Sequence, residues 1–217
     1  MKISSKLQKL KPWLQESLAP TRCLISGKLD HLLGTEYQDF PRAPENQVQY
    51  QYLDQIYART KYYHPVTEKI VEYFKFRQYQ SLAPIMAQLI NEQFPKDFIQ
   101  AQDIFIPIPL HWRRWLFRGY NQSLILAKAI QKFYPQNEIN HSLRRVRYTS
   151  QQARLNRDAR HQNLAGAFAW RGDQVPKSVI LIDDVVASGS TLEAAARVLK
   201  QAGVQTVKAV AFARGGK

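Results

Sequence analysis

The stretch Val179-Ile-Leu-Ile-Asp-Asp-Val-Val-Ala-Ser-Gly-Ser-Thr191 constrains the fold more than any other part of the chain. Four apolar residues run into two carboxylates, then into small residues, then into a helical pattern. Val179 to Ile182 reads as a short strand buried on both faces, as in a parallel sheet. The segment from Thr191 to Ala202 reads as a helix with Leu192, Ala195, Ala196 and Leu199 on one face. The loop Ala187-Ser-Gly-Ser-Thr191 between them has no bulky side chain. Its backbone N–H groups are open to an anion, and the helix N-terminus behind adds a favourable dipole. Ser188, Ser190 and Thr191 add hydroxyl donors, so a phosphate fits there. Asp183 and Asp184, at the strand's carboxyl end, are placed to accept hydrogen bonds from a vicinal diol. A phosphate on one side and a diol on the other describe a ribose 5-phosphate. No G-x-G-x-x-G supports a dinucleotide fold, and no Gly-Lys-Ser/Thr supports a Walker A loop.

Charge is the second constraint. The chain has 217 residues, with 31 Lys plus Arg against 17 Asp plus Glu, a net charge of +14. Between Pro107 and Arg160 stand eleven Lys or Arg, opposed only by Glu138 and Asp158. A basic surface of this kind attracts polyanions, either a pyrophosphate-bearing small molecule or a nucleic acid. Length suits one domain with an appendage or two small domains. No apolar stretch is long enough to span a membrane, and no apolar h-region follows Lys2, Lys6, Lys9 and Lys11, so a cytoplasmic protein is expected. Cys23 is the single cysteine, which excludes an intrachain disulfide and a cysteine-built zinc site.

The chain divides coarsely at residue 100. Residues 1–100 read as a helical and irregular lid or hood region. Val66, Ile70, Tyr73 and Phe74 fall at helical spacing, as do Ile85, Met86, Leu89 and Ile90 behind the candidate cap Ser81. Eight tyrosines between Tyr37 and Tyr79 are suited to packing or to stacking bases. Residues 101–217 read as β/α: a strand over Asp103–Pro109, a helix over Asn121–Tyr134 with Leu126, Ala127, Ile130 and Phe133 inward, the strand at Val179, and a last strand over Val207–Phe212 after the helix-ending Gly203. Such alternation implies a parallel, doubly wound sheet, whose ligands bind at the carboxyl ends of its strands.

The stretch around Asp183 and Asp184 resembles the phosphoribosyl pyrophosphate (PRPP) signature of type I phosphoribosyltransferases. Two further segments narrow the resemblance. One is Ile106-Pro-Ile-Pro-Leu-His-Trp-Arg-Arg-Trp-Leu-Phe-Arg-Gly-Tyr-Asn-Gln122. The other is Thr149-Ser-Gln-Gln-Ala-Arg-Leu155, continued by Arg160-His-Gln-Asn-Leu-Ala-Gly-Ala-Phe168. With the signature, these resemble the ComF family of competence proteins, also called the GntX group. The matching positions are Pro107, Pro109, Arg118 to Gln122, Thr149, Gln152, Leu155, Arg160, Asn163 and Gly166 to Phe168, in three separate motifs in the right order. Many family members carry an N-terminal zinc ribbon of Cys-x-x-Cys pairs. This chain has Cys23-Leu-Ile-Ser26 and no other cysteine, so the ribbon is expected to be lost.

The resemblance implies an α/β fold: a type I phosphoribosyltransferase-like parallel sheet flanked by helices, with a smaller, mainly helical N-terminal lid. It assigns the ribose phosphate to Asp183, Asp184, Val186, Ala187, Ser188, Gly189, Ser190 and Thr191. The pyrophosphate falls to a loop from Pro107 ending at Arg118 and Gly119, where a guanidinium can grip phosphate oxygens in a bidentate fork. A mobile covering loop over Arg144–Gln162 would include Thr149, Gln152 and Arg160. Mg²⁺ is expected to arrive with PRPP, and no metal is expected to be held directly. For a working enzyme the implied reaction is displacement of pyrophosphate at ribose C1. No acceptor-recognition segment or general base is legible. Trp112, Arg113, Arg114, Trp115 and Phe117, with Arg144, Arg145 and Arg147, form a basic and aromatic set. These residues either contact single-stranded nucleic acid or pack against the lid. Asn121 is placed to cap the following helix. Three functions stay open: a ComF-type protein of DNA uptake or processing, a phosphoribosyltransferase for an unidentified base or amine, and a non-catalytic adaptor of the import machinery.

Overall fold

The computed structural model describes residues 43, 49–76, 79–148 and 164–215. Four parallel strands form the sheet: β1 (Gln55–Lys61), β2 (Ile104–Pro107), β5 (Ser178–Val186) and β6 (Thr206–Arg214), in the order β1-β6-β5-β2. Strands β3 (Leu143–Arg145) and β4 (Phe168–Trp170) form a separate antiparallel pair. The helices are α1 (Pro65–Phe76), α2 (Leu82–Glu92), α3 (Trp112–Arg118), α4 (Gln122–Gln131) and α5 (Ser190–Ala202).

Both central strands are almost continuously apolar, because a parallel strand covered on both faces meets water on neither. On one face α1, α2 and α4 bury Val66, Ile70, Phe74, Met86, Ile90, Leu126 and Ile130 against Phe105, Ile180, Ile182 and Phe212. On the other face α5 and the β3–β4 pair bury Leu192, Ala195, Ala196, Leu199, Leu143 and Phe168 against Val179, Leu181, Val207 and Ala209. The sheet is therefore flanked by helices as expected. Outside β2, the amide of Phe105 donates to Glu138 and its carbonyl accepts from Asn140, which covers part of that edge.

Several element readings need correction. Residues 55–61 lie in the part read as helical and irregular, yet they form an edge strand of the core sheet, which thus crosses residue 100. The segment before Arg118, read as a loop, is helix α3, capped by the His111 ring nitrogen. Ser81 precedes α2 without a side-chain capping bond. Phe133 lies past the end of α4 and is exposed. The strand read as ending at Ile182 continues to Val186, because β6 pairs with it as far as Arg214. Residues Arg144 and Arg145, read as the start of a mobile loop, belong to β3.

Candidate functional site

The acidic pair lies within β5, separated by Val185 and Val186 from the Ala187–Thr191 stretch that opens α5. Asp183 Oδ1 accepts from the Ser123 hydroxyl at 2.8 Å and from the Asp184 amide at 3.0 Å. Asp184 Oδ1 accepts from the Val185 amide at 2.9 Å, and its Oδ2 lies 3.0 Å from Lys75 Nζ. Ser123 stands in the first turn of α4 because Asn121 caps that helix: its Oδ1 accepts from the Ser123 amide while its Nδ2 donates to the Ile108 carbonyl. Lys75 sits at the end of α1, next to the buried anchor Phe74, whose carbonyl accepts from the Tyr120 hydroxyl. Helices on one face of the sheet thus supply both partners of the pair.

Electrostatics set this corner apart. Loss of water pushes the Asp183 carboxyl up to about 7, and the neighbouring Asp184 charge adds to the rise; Lys75 and the bonds from Ser123 and the Asp184 amide oppose it. Arg118 and Arg145 arrive from different segments. Burial lowers Arg118, against the opposing pull of Asp184, Tyr120 and Asp183. Burial and the Arg114 charge lower Arg145 to about 10, with Asp183 opposing. Both remain cations at neutral pH. The guanidinium of Arg118 lies over the Phe76 ring, and that of Arg145 over Phe168, so each head is set by an aromatic face.

Local backbone explains two of the glycines. Gly119 ends α3 with φ of 80°, its amide bonded to the Trp115 carbonyl, so the chain reverses directly after Arg118. Gly189 has φ of 78° at the entry to α5. In the loop, Ser188 and Ser190 share a hydroxyl–hydroxyl bond of 2.9 Å.

The basic and aromatic set divides. Trp112, Trp115, Leu116 and Phe117 are exposed, Phe117 to 95%. The Arg113 guanidinium lies over the rings of Trp112 and Tyr148. Burial lowers the His111 imidazole, followed by Arg113, Arg145 and Arg114. Arg144 and Arg147 face outward, and Arg147 donates to the Ala165 carbonyl. Arg145, grouped by sequence with the nucleic-acid contacts, is half-buried with its guanidinium over the Phe168 ring. Thr149, Gln152 and Arg160 lie outside the described residues, as does Cys23. Among the described residues no three His, Cys, Asp or Glu side chains gather closely enough to hold a metal, and no helix is long and apolar enough to cross a membrane.

Sequence reasoning missed Lys75, Ser123, Glu193 and Tyr50 as neighbours of the site. The signal for Lys75 was its place at the end of a strongly amphipathic helix; the other three carried none.

Comparison with known proteins follows the same outline. The family model "Phosphoribosyl transferase domain" matches residues 169–217, which hold β5, the small-residue loop, α5 and β6. Competence protein F of Haemophilus influenzae is 30% identical over 153 residues, 67% of this chain and 66% of that protein. The chain belongs to the ComF family of competence proteins. The DNA utilization protein YhgH of Salmonella typhimurium is 29% identical over 67% of this chain and 66% of its own length. Competence protein ComFC of Streptococcus pneumoniae is 28% identical over 65% and 60%. The chain thus spans about two thirds of the length of the ComF relatives it matches.

Proposed function

We propose that this ComF-family protein serves natural transformation in the cytoplasm, in the uptake or processing of single-stranded DNA, and that its phosphoribosyltransferase-fold pocket binds PRPP or a related ribose phosphate. One observation supports the pocket: Asp183 and Asp184, with Lys75 Nζ 3.0 Å from Asp184 Oδ2, adjoin on the strand that runs into a small-residue helix entry. The acidic pair is suited to a ribose diol, the backbone of Ala187–Thr191 to the 5-phosphate, and the Arg118 fork to a diphosphate. Mg²⁺ would enter bound to the diphosphate, as part of the substrate.

The DNA half is supported by α3 and its surroundings. Exposed Trp112, Trp115 and Phe117 offer faces for bases, while Arg113 and Arg114 offer contacts for phosphates.

The deciding experiment is calorimetric titration with PRPP and Mg²⁺. Saturable binding, absent from the Asp183→Asn, Asp184→Asn double variant, is expected. Absence of heat at several temperatures overturns the pocket. Release of pyrophosphate on adding a base or amine would make the protein a phosphoribosyltransferase rather than a binding protein.

A further inference from the structure

The small-residue loop is not bare. Tyr50, from the segment ahead of β1, lies directly over Gly189. A Cβ at that glycine would stand 2.6 Å from the ring carbons Cε1 and Cζ and nearer still to the phenol oxygen. The space opened by the absent side chain, which a phosphate oxygen needs to approach the backbone, is therefore filled by a tyrosine. The segment is also tied down. Glu193, in the first turn of α5, accepts from the amides of Gln51 at 2.7 Å and Tyr52 at 3.0 Å through one oxygen, Oε1. Glu193 is buried, and among the described residues its Oε2 has no hydrogen-bond partner. At a helix N-terminus this carboxylate takes up part of the positive potential that would otherwise serve an incoming phosphate. Leu53, three residues beyond Tyr50, is buried in the core on the same face as α5, which fixes the far end of the strap.

We infer that residues 50–52 form a strap that closes the phosphate subsite in the ligand-free chain, with the Tyr50 phenol in the place of the anion, and that a sugar phosphate enters by displacing it. The inference rests on the phosphate-loop reading above. Its consequence is that the measured affinity for a ribose phosphate is the intrinsic affinity reduced by the fraction of open strap.

The test is titration of ribose 5-phosphate into the full chain and into Tyr50→Ala and Tyr50→Phe. Tyr50→Ala is expected to bind about tenfold tighter, the factor for a strap closed about ninety per cent of the time. Equal or weaker binding by Tyr50→Ala, with binding by the unaltered protein intact, overturns the strap alone. Weakening by both variants would make the phenol a phosphate ligand, which also overturns it. No binding to any form overturns the phosphate subsite and the strap with it. A second measurement covers a variant that fails to fold: hydrogen exchange of the Gln51 and Tyr52 amides in the unaltered protein. Their protection should fall on saturation with ribose 5-phosphate, and protection that holds or grows overturns the inference.

Discussion

At the amino end of the sheet, Lys208 Nζ lies 2.7 Å from Asp103 Oδ2; at the carboxyl end, Lys75 Nζ lies 3.0 Å from Asp184 Oδ2. The first pair is closed. Lys208 and Asp103 are 8% and 1% exposed, Ser178 and the Gln100 amide also donate to Asp103, and Lys208 donates to the Phe98 carbonyl as well. It ties the loop before β2 to the start of β5 and to β6. Charge cancels one for one, and both groups have further partners. The second pair is open. Asp184 is 2% exposed, but Lys75 keeps 20% of its surface, a second carboxylate adjoins, and the charge of the acids is felt at Arg118 and Arg145. A corner where two acids adjoin on one strand against one half-open lysine is poorly arranged for stability. Such local conflict, with a satisfied counterpart at the other end of the same strands, is what the proposed ligand site would be expected to show.

Breaking the closed pair should have the largest effect. Lys208→Met leaves Asp103 buried without its cation and is expected to lower stability by about 3–5 kcal/mol, read from urea denaturation. A change below about 1 kcal/mol would remove the contrast between the two ends. The Asp183→Asn, Asp184→Asn variant should behave in the opposite way. PRPP affinity is expected to fall at least about 100-fold, or roughly 2.7 kcal/mol, while stability shifts by no more than about 1 kcal/mol, since Lys75 can turn to water. A variant that binds normally would misplace the ribose.

The outer flank gives a smaller effect. Arg113→Ala with Arg114→Ala should weaken single-stranded DNA binding about tenfold at low salt, alike for all sequences, and flatten the log–log salt slope by about 0.7 per lost phosphate contact. An unchanged slope would detach α3 from DNA. The smallest effect concerns pH. Asp183 titrates near 7 in the fold, against 3.8 as its ordinary value, so its ionisation works against the folded state as pH rises from about 4 through 7. In the proposed site the diol hydroxyls would donate to the ionised form. Affinity for ribose 5-phosphate should therefore rise about fourfold between pH 6.5 and 8.5, where the ligand phosphate is already largely dianionic. A flat profile would show that Asp183 is not the diol acceptor.

Much of the sheet and the centre of the site were legible in the chain. The run Val179–Ile182, the inward face Leu192, Ala195, Ala196 and Leu199, and the glycine-ended α5 are local patterns whose periodicity follows directly from burial. Strand β1 was not legible. Gln55-Ile-Tyr-Ala-Arg-Thr-Lys61 is an edge segment of mixed polarity, made a strand by the register of β6 beside it. Helix α3 hides for a related reason: it is short, none of its residues is buried, and so it shows no apolar stripe.

By itself the sequence determined the alternation of strand and helix, the acidic pair and the small-residue loop, because each is written in consecutive residues. Tertiary structure alone decided who faces them. Glu193 meets Gln51 across 142 residues, and Asp183 meets Ser123 across 60. No spacing rule spans such separations; those contacts exist because packing on the two faces of one sheet brings distant helices and strands to the same strand end.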